Sequence, residues 1–331
     1  MKLQRAPFSP SLRRRGFTLV ELLVVIFVIA ILVAFLLPAI QGVSRNVRDT
    51  QVRADIAQLE TAISQFRQRF QADPPSSITL WEDPSTNNGW ATASPNGLAI
   101  ESRGIIRQMW PQFDFTLARD LNGNGNTTDS PITITGGEAM VFFLGGMLQR
   151  ESSTGRAVPV GFSKNPLDPF ALGGNREGPF FEFKVERFSD VNSNLFPEYL
   201  DTLPGQTVPY VYYSSYDGAG YRQYTSGSLA AEFSSGTAYL QTPYRQGNDS
   251  TNAATSEPFK PKGYQIISPG IDRTFGPGGP FFPTATVQLP AYVIDMNADG
   301  DTMDTGETVT ASDRSFEADN ITNFHSGRLK P

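Results

Sequence analysis

The stretch RRRGFTLVELLVVIFVIAILVAFLLPAI, residues 13–40, decides the fold of this chain. Three arginines and Gly16 precede a nearly unbroken apolar run from Phe17 to Ile40, and a single acid, Glu21, lies one helical turn inside it. The run is long enough to cross a lipid bilayer, which takes about 20 apolar residues in a helix. A carboxylate inside such a helix costs up to a few kcal/mol, so the position of Glu21 needs a reason of its own.

Three simpler interpretations of this stretch compete. A secretory signal peptide has an apolar core of roughly 7–15 residues and a small-residue cleavage site, whereas this run is longer and has no such site. A plain transmembrane anchor fits the length but gives Glu21 no role. A buried core helix would rarely be so apolar on every side.

The hexapeptide GFTLVE, residues 16–21, resembles the processing site of type IV prepilins and type II secretion pseudopilins. This resemblance implies that a prepilin peptidase cuts between Gly16 and Phe17 and that the new amino group of Phe17 is methylated. Glu21 would then be the fifth mature residue. Pro38 also lies where this family often carries a proline.

The charge distribution predicts the orientation of the chain. Residues 1–16 carry five basic side chains and no acid, so they should stay on the cytoplasmic side while the rest is exported. The whole chain has 27 basic and 33 acidic side chains, a net charge of −6; without the five leader cations, 22 basic side chains remain and the net charge is −11. Nucleic acid is therefore not an expected partner, and cations suit the mature chain better.

Beyond Pro38, apolar residues recur three and four positions apart, which predicts one face of an amphipathic helix. These residues are Ile56, Leu59, Ile63, Phe66 and Phe70. We therefore expect one helix from Phe17 to Ala72, ended by Asp73-Pro74-Pro75 because proline cannot continue a helix. Pro38 should kink this helix or open it locally.

The composition of the remaining chain favours a turn-rich β domain with an aromatic core. The sequence has 30 Gly, 25 Pro, 24 Phe and 11 Tyr, and no cysteine, which excludes disulfides and thiolate metal sites. We predict an α+β fold in which the long N-terminal helix packs on an antiparallel β-sheet head with long loops. The expected parts are a cleaved leader at 1–16, the helix at 17–72 and an exported head at 73–331.

Several elements of the head can be predicted. Helices are expected at 101–110 and 136–149, although 141–144 could be a strand. Residues 76–104 are expected to form a loop with at most short elements, anchored by Trp81 and Trp90. Residues 225–262 are expected to form a surface insertion. Predicted strands lie at 180–185, 209–216, 221–224, 264–268 and 291–295, with a hairpin turn at 217–220.

Three segments have oxygen-bearing side chains at alternate positions, as calcium-binding loops do at positions 1, 3 and 5. The best match is Asp295, Asn297, Asp299 and Asp301, with Asp304 and Glu307 as further donors; the others are Asp120, Asn122 and Asn124, with Asp129 in reach, and Asp190, Asn192 and Asn194. The second lacks a glutamate where one is wanted, and the third has Leu195 in place of glycine. Asp and Asn are also ordinary turn formers, so each segment could be a turn without a metal.

The C-terminal part offers a second resemblance. The sequence YQIISPGID at 264–272 and the sequence DNITNF at 319–324 resemble the C-terminal pattern of major pseudopilins, in which two such segments embrace a calcium ion. That resemblance implies that Asp272 and Asp319 are ligands. The chain departs from the pattern in having Arg273 where a glycine is expected and a long segment between the two halves.

Nothing in the sequence indicates catalysis. His325, the only histidine, lies near the C-terminus, where a solvated side chain is expected, and neither a phosphate-binding loop nor a zinc-protease motif is present. We therefore predict a structural protein rather than an enzyme.

The resemblance implies a subunit that assembles through its N-terminal helix into a type II secretion pseudopilus or type IV pilus-like filament. Its partners would be the prepilin peptidase, other copies of itself, related pseudopilins and an assembly platform in the inner membrane. We expect Glu21, buried among helices, to pair with the amino group of Phe17 on a neighbouring subunit. The alternatives are a non-polymerising, membrane-anchored surface protein with a calcium-dependent binding head and, more distantly, a surface hydrolase.

Overall fold

The computed structural model describes residues 17–95, 97–151, 154–221, 242–246, 257–285, 288–289, 292–293, 310–311 and 314–329. For residues 36–45, 292–293 and 310–311, the description is limited to secondary structure.

The first element is the helix α1, Leu19–Phe70, two residues shorter at each end than predicted. Its predicted apolar face is confirmed, because Ile56, Leu59, Ile63, Phe66 and Phe70 are all buried. The helix ends where Gln71 takes a left-handed conformation, φ 58°, and the sequence Asp73-Pro74-Pro75 follows. The predicted kink at Pro38 stays a prediction.

Two further helices lie in the head: α2, Gly97–Met109, and α3, Gly136–Gly145. Both were predicted, and the alternative strand at 141–144 is wrong. Glu138 accepts a hydrogen bond from the backbone N–H of Thr135 at 3.1 Å and so caps the first turn of α3. The helix ends before 149 because Gly146 turns the chain with φ 80°.

The strands of the described residues are short. They are β1 Ser77–Leu80, β2 Ile132–Thr135, β3 Leu148–Arg150, β4 Ala157–Pro159, β5 Phe162–Ser163, β6 Arg176–Glu177, β7 Phe188–Ser189, β8 Glu198–Tyr199, β9 Val211–Ser214, β10 Thr242–Gln246, β11 Tyr264–Ser268, β12 Gly278–Phe281, β13 Tyr292–Val293, β14 Thr310–Ala311 and β15 Ile321–Thr322.

The strands form a three-stranded antiparallel sheet in the order β15-β11-β9 and several two-stranded sheets, of which β10–β12 is parallel and the others are antiparallel. The α+β class is therefore confirmed. The head contains several small sheets rather than one continuous sheet, because glycines with positive φ and prolines interrupt the strands.

The three-stranded sheet is attached to α1 by buried polar contacts as well as by the core. Tyr210, just before β9, donates a hydrogen bond to Asp55 of α1 at 2.8 Å, and Arg187 forms an ion pair with the same carboxylate. Tyr212 of β9 donates to the carbonyl of Pro74 at 2.7 Å. These contacts fix the sheet against the second half of the helix.

Some strand predictions need correction. Residues 180–185 alternate buried and exposed side chains, but they are not a strand, because the N–H groups of Phe180 and Phe181 donate to the carbonyl of Leu144 at the end of α3. At the predicted hairpin turn 217–220, residues 216–218 form a 3₁₀ turn, and β9 pairs with β11. The second predicted strand of the hairpin stays a prediction, because residues 222–224 lie outside the described part.

The predicted surface insertion at 225–262 is wrong for its described middle. Strand β10 lies there, and Tyr244 within it is completely buried in a small second core cluster with Phe281 and Leu289. An aromatic side chain inside a Ser- and Gly-rich segment can be buried by partners distant in sequence, which local composition does not reveal. Strand β13 lies within the predicted strand 291–295, and the rest of that strand is outside the described residues.

The main core joins the second half of α1 to α2, α3 and the surrounding aromatic residues. Phe66 lies with its ring centroid 6.0 Å from Phe143 and 5.4 Å from Phe180. Trp81 and Trp90, the predicted anchors, are buried 5.6 Å apart. By its internal contacts, the chain divides into two units, Met1–Arg48 and Asp49–Pro331; the predicted boundaries at 16/17 and 72/73 stay predictions.

Candidate functional site

The start of α1 carries the first candidate site. The carboxylate of Glu21 accepts hydrogen bonds from the backbone N–H of Thr18 at 2.9 Å and from its hydroxyl at 2.8 Å, and the hydroxyl accepts one from the N–H of Glu21 at 3.2 Å. This is a capping box, which satisfies N–H groups at the helix start. The pattern T-x-x-E signals it in the sequence, and our sequence analysis missed it. Gly16 lies outside the described residues, and Phe17 is 77% exposed.

The first half of α1 presents apolar side chains on every side. From Leu19 to Phe35, the large apolar side chains are 42–79% exposed. Pro38 lies within the helix, but its side chain is outside the description. In the described part of the chain, none of the helices has the length and apolarity needed to cross a membrane.

The loop at 120–129 brings its predicted ligands together. Asp120 accepts hydrogen bonds from three backbone N–H groups of the loop at 2.7–3.1 Å. The side-chain nitrogens of Asn122, Asn124 and Asn126 all point at Asp129, whose pKa they lower by hydrogen bonding. The three asparagine side chains of this segment thus converge on the carboxylate of Asp129.

Glu82, just after β1, binds the backbone of this loop, a contact that the sequence analysis did not predict. Its Oε1 atom accepts hydrogen bonds from the N–H groups of Leu121 at 2.7 Å and Asn122 at 3.3 Å. The residue is fully buried, and burial, followed by the charges of Asp129 and Asp120, raises its pKa. No local motif marks Glu82, because its partners lie about 40 residues further along the chain.

Asp272 and Asp319 are brought together, as the C-terminal resemblance implied. Asp319 accepts hydrogen bonds from the backbone N–H groups of Ile271 at 2.6 Å and Asp272 at 3.1 Å. Burial and the charge of Asp319 raise the pKa of Asp272 to about 6. Arg273 takes the left-handed conformation, φ 64°, that glycine adopts most readily.

The segment at 190–194 packs against a different carboxylate. The side-chain nitrogens of Asn192 and Asn194 donate to Glu138 at 2.9 and 2.7 Å, while Asp190 accepts from the backbone of Leu195. Glu198, at the end of this segment, is buried, and burial together with the charge of Glu138 raises its pKa to about 8. The asparagines therefore serve as hydrogen-bond donors to a buried acid.

The remaining metal prediction falls outside the described residues, namely Asp295, Asn297, Asp299, Asp301, Asp304 and Glu307. Among the residues that are described, no group of three or more Asp, Glu, His or Cys side chains is arranged so that it could hold a metal ion. A calcium site among the described residues would therefore use other oxygen ligands or a local rearrangement.

His325 was predicted to be a solvated side chain near the C-terminus, but the structure shows it partly buried. Its ring packs edge-on against Phe281 with centroids 5.0 Å apart, and burial lowers its pKa. The C-terminal segment is held because Arg53 of α1 donates to the carbonyls of His325 and Gly327 at 3.1 and 2.7 Å. The backbone N–H of His325 also donates to the hydroxyl of Thr322 at 3.2 Å, so His325 is part of the packed C-terminal segment.

Comparison with known proteins adds one finding. The family model of the prokaryotic N-terminal methylation motif matches residues 11–37, which include the predicted cleavage site and the capping box. No curated protein matches the chain, and no solved structure matches it either.

Proposed function

We propose that this chain is a structural subunit of a type II secretion pseudopilus or a related type IV pilus-like filament. The premise is its N-terminal methylation motif, which supports a type IV pilin-like protein processed by a prepilin peptidase and points to a structural protein rather than an enzyme. One observation carries the proposal further: the first half of α1 is apolar, exposed and interrupted by a single acid.

The exposed helix defines the assembly surface. An apolar surface of this extent is stable in a cell only when lipid or protein covers it. We assign lipid to this role before assembly, with the N-terminus cytoplasmic and the head in the periplasm or outside the cell. After assembly, the helices of neighbouring copies and of related pseudopilins would cover the same surface, with the inner-membrane platform driving the exchange.

Glu21 gives the assembly its register in this proposal. Cleavage between Gly16 and Phe17 creates a free amino group four residues from the carboxylate. Within the subunit, Thr18 holds that carboxylate at the start of the helix. Once helices surround it, the acid needs a counter-charge, which the amino group of Phe17 on a neighbouring copy supplies.

The test separates the charge of Glu21 from its capping role. Glu21→Gln keeps an oxygen that can accept from Thr18, whereas Glu21→Ala removes the cap as well. We expect both variants to be cleaved normally, as shown by mass spectrometry of the N-terminus, and neither to form filaments in electron micrographs. Glu182→Gln, an exposed acid of the head, is the matched control and should assemble normally.

Normal filaments from Glu21→Gln would contradict the role of the charge. If the wild-type protein instead stays at the cell surface without filaments, the alternative is favoured: a membrane-anchored protein with a calcium-dependent binding head. The pairing of Asp272 with Asp319 supports that alternative, and calcium bound there, as a structural cofactor, is compatible with either function.

A further inference from the structure

We propose that Glu82 and the loop at 120–129 form a calcium-binding site, in which the glutamate missing from the loop is supplied by a distant segment. The site is separate from the assembly helix and from the Asp272–Asp319 pair. Calcium binding there does not depend on filament formation, so the two proposals can be tested separately.

The first observation is a buried carboxylate oxygen. Glu82 has no exposed surface, and its Oε1 atom is satisfied by two N–H groups of the loop. Its Oε2 atom is buried and accepts no hydrogen bond from the part of the chain that the structure describes. A buried carboxylate oxygen left unsatisfied is costly, and such atoms call for a specific explanation.

The second observation is the surroundings of that carboxylate. Because the Oε1 atom of Glu82 is bonded to the N–H groups of Leu121 and Asn122, its carboxyl group lies at the loop that carries Asp120 and Asp129, and the charges of both acids act on it. Such a group of acids is stabilised if one of them is protonated or if a cation lies among them. Three asparagine side chains already stabilise the charge on Asp129.

The surrounding charges favour a cation. Asp120 also acts on Glu82, and none of the ion pairs found in the described residues involves Glu82, Asp120 or Asp129. The guanidinium of Arg150 donates to the backbone carbonyl of Asn122 at 3.1 Å rather than to a carboxylate. The negative charge of the cluster is therefore not balanced by a basic side chain among these contacts.

The remaining ligands come from the loop itself. Asp120, Asn122 and Asn124 occupy positions 1, 3 and 5 of a calcium-type loop, and Gly125 follows at position 6 with φ 86°, the sharp turn that such loops need. A half-turn of an asparagine amide exchanges its nitrogen for its oxygen. Calcium takes 6–8 oxygen ligands in flexible geometry, so the exposed part of the loop can supply oxygen atoms beside the carboxylates of Glu82 and Asp129.

The experiment uses the full chain in detergent micelles. Ca²⁺ binding is measured by calorimetry, and Tb³⁺, a luminescent substitute, is excited through the adjacent Trp81. We expect Tb³⁺ luminescence that Ca²⁺ displaces, and a loss of affinity of about tenfold or more in Glu82→Gln and in Asp129→Asn. Asp272→Asn, the matched control at the other carboxylate pair, should leave the Trp81-sensitised signal unchanged.

Wild-type affinity in both Glu82→Gln and Asp129→Asn, or no binding by the wild type, would overturn the site and leave a protonated Glu82 as the explanation of its buried carboxyl group. If Glu82→Gln fails to fold, judged by near-ultraviolet circular dichroism of the tryptophans, Asp129→Asn decides, because Asp129 is only partly buried. Neither result bears on filament assembly, which is tested through Glu21.

Discussion

At the scale of single residues, several acidic side chains are buried, and Glu198 is the one whose pKa is raised most clearly. Both Glu198 and Glu138 are 1% exposed. Glu198 packs against the first turn of α3, where a side chain on Gly137 would collide with the carbonyl of Tyr210 at 2.8 Å. Among the described residues, one oxygen of Glu198 has no hydrogen-bond partner, and the charge of Glu138 acts on the carboxyl group. The folded protein therefore favours the protonated form of Glu198.

This acid makes stability depend on pH. The pKa of Glu198 is about 8 in the folded state against 4.5 ordinarily, so between these values the folded state binds more protons than the unfolded state. The free energy of unfolding should therefore fall as pH rises from 4.5 to 8, by up to about 1.4 kcal/mol per pH unit. Glu198→Gln removes this dependence, so its advantage over the wild type should grow with pH.

Denaturant unfolding at pH 5, 7 and 8.5, with a chelator present, measures this difference. Glu182→Gln, at an exposed position in the same part of the head, should run parallel to the wild type across the same range. Parallel profiles for Glu198→Gln and the wild type would mean that Glu198 is ionised in the folded protein at neutral pH.

At the scale of elements, the C-terminal segment is a structural part of the head rather than a frayed end. Arg328 forms a two-point ion pair with Asp49 of α1, each contact 2.6 Å, and Asn323 donates to Glu60 at 3.0 Å. Leu329 is fully buried in the second core cluster. The ion pair is partly exposed and stabilises only modestly, so the buried leucine should dominate.

Leu329→Ala should therefore lower the free energy of unfolding by about 2–5 kcal/mol, the usual range for a leucine truncated in a packed core. Ser326→Ala, three residues earlier and exposed, should change it by less than about 0.5 kcal/mol. Thermal or denaturant unfolding measures both. Equal, small effects would mean that the C-terminus is not packed in solution.

At the scale of the whole molecule, sequence reasoning succeeded where the signal is local. The apolar period that ends at Phe70 and the prolines that follow predicted α1 to within two residues. It missed the contacts between distant segments: β9 pairs with β11, and Glu82 accepts a hydrogen bond from a loop 39 residues away. Spacing in one sequence cannot reveal such pairs, because no local period encodes which segments meet.

The division of the chain leads to a final prediction about the head. Residues 49–70 of α1 supply its core, whereas the large apolar side chains from Leu19 to Phe35 are exposed. A fragment of residues 46–331 should therefore fold alone, with an unfolding midpoint within a few degrees of the full chain in detergent. It should form no filaments, because it lacks the assembly surface. A fragment beginning at Gln71 is the control: it loses Leu59, Ile63 and Phe66 and should not fold. An unfolded 46–331 fragment, seen by circular dichroism, would show that the first half of α1 stabilises the head.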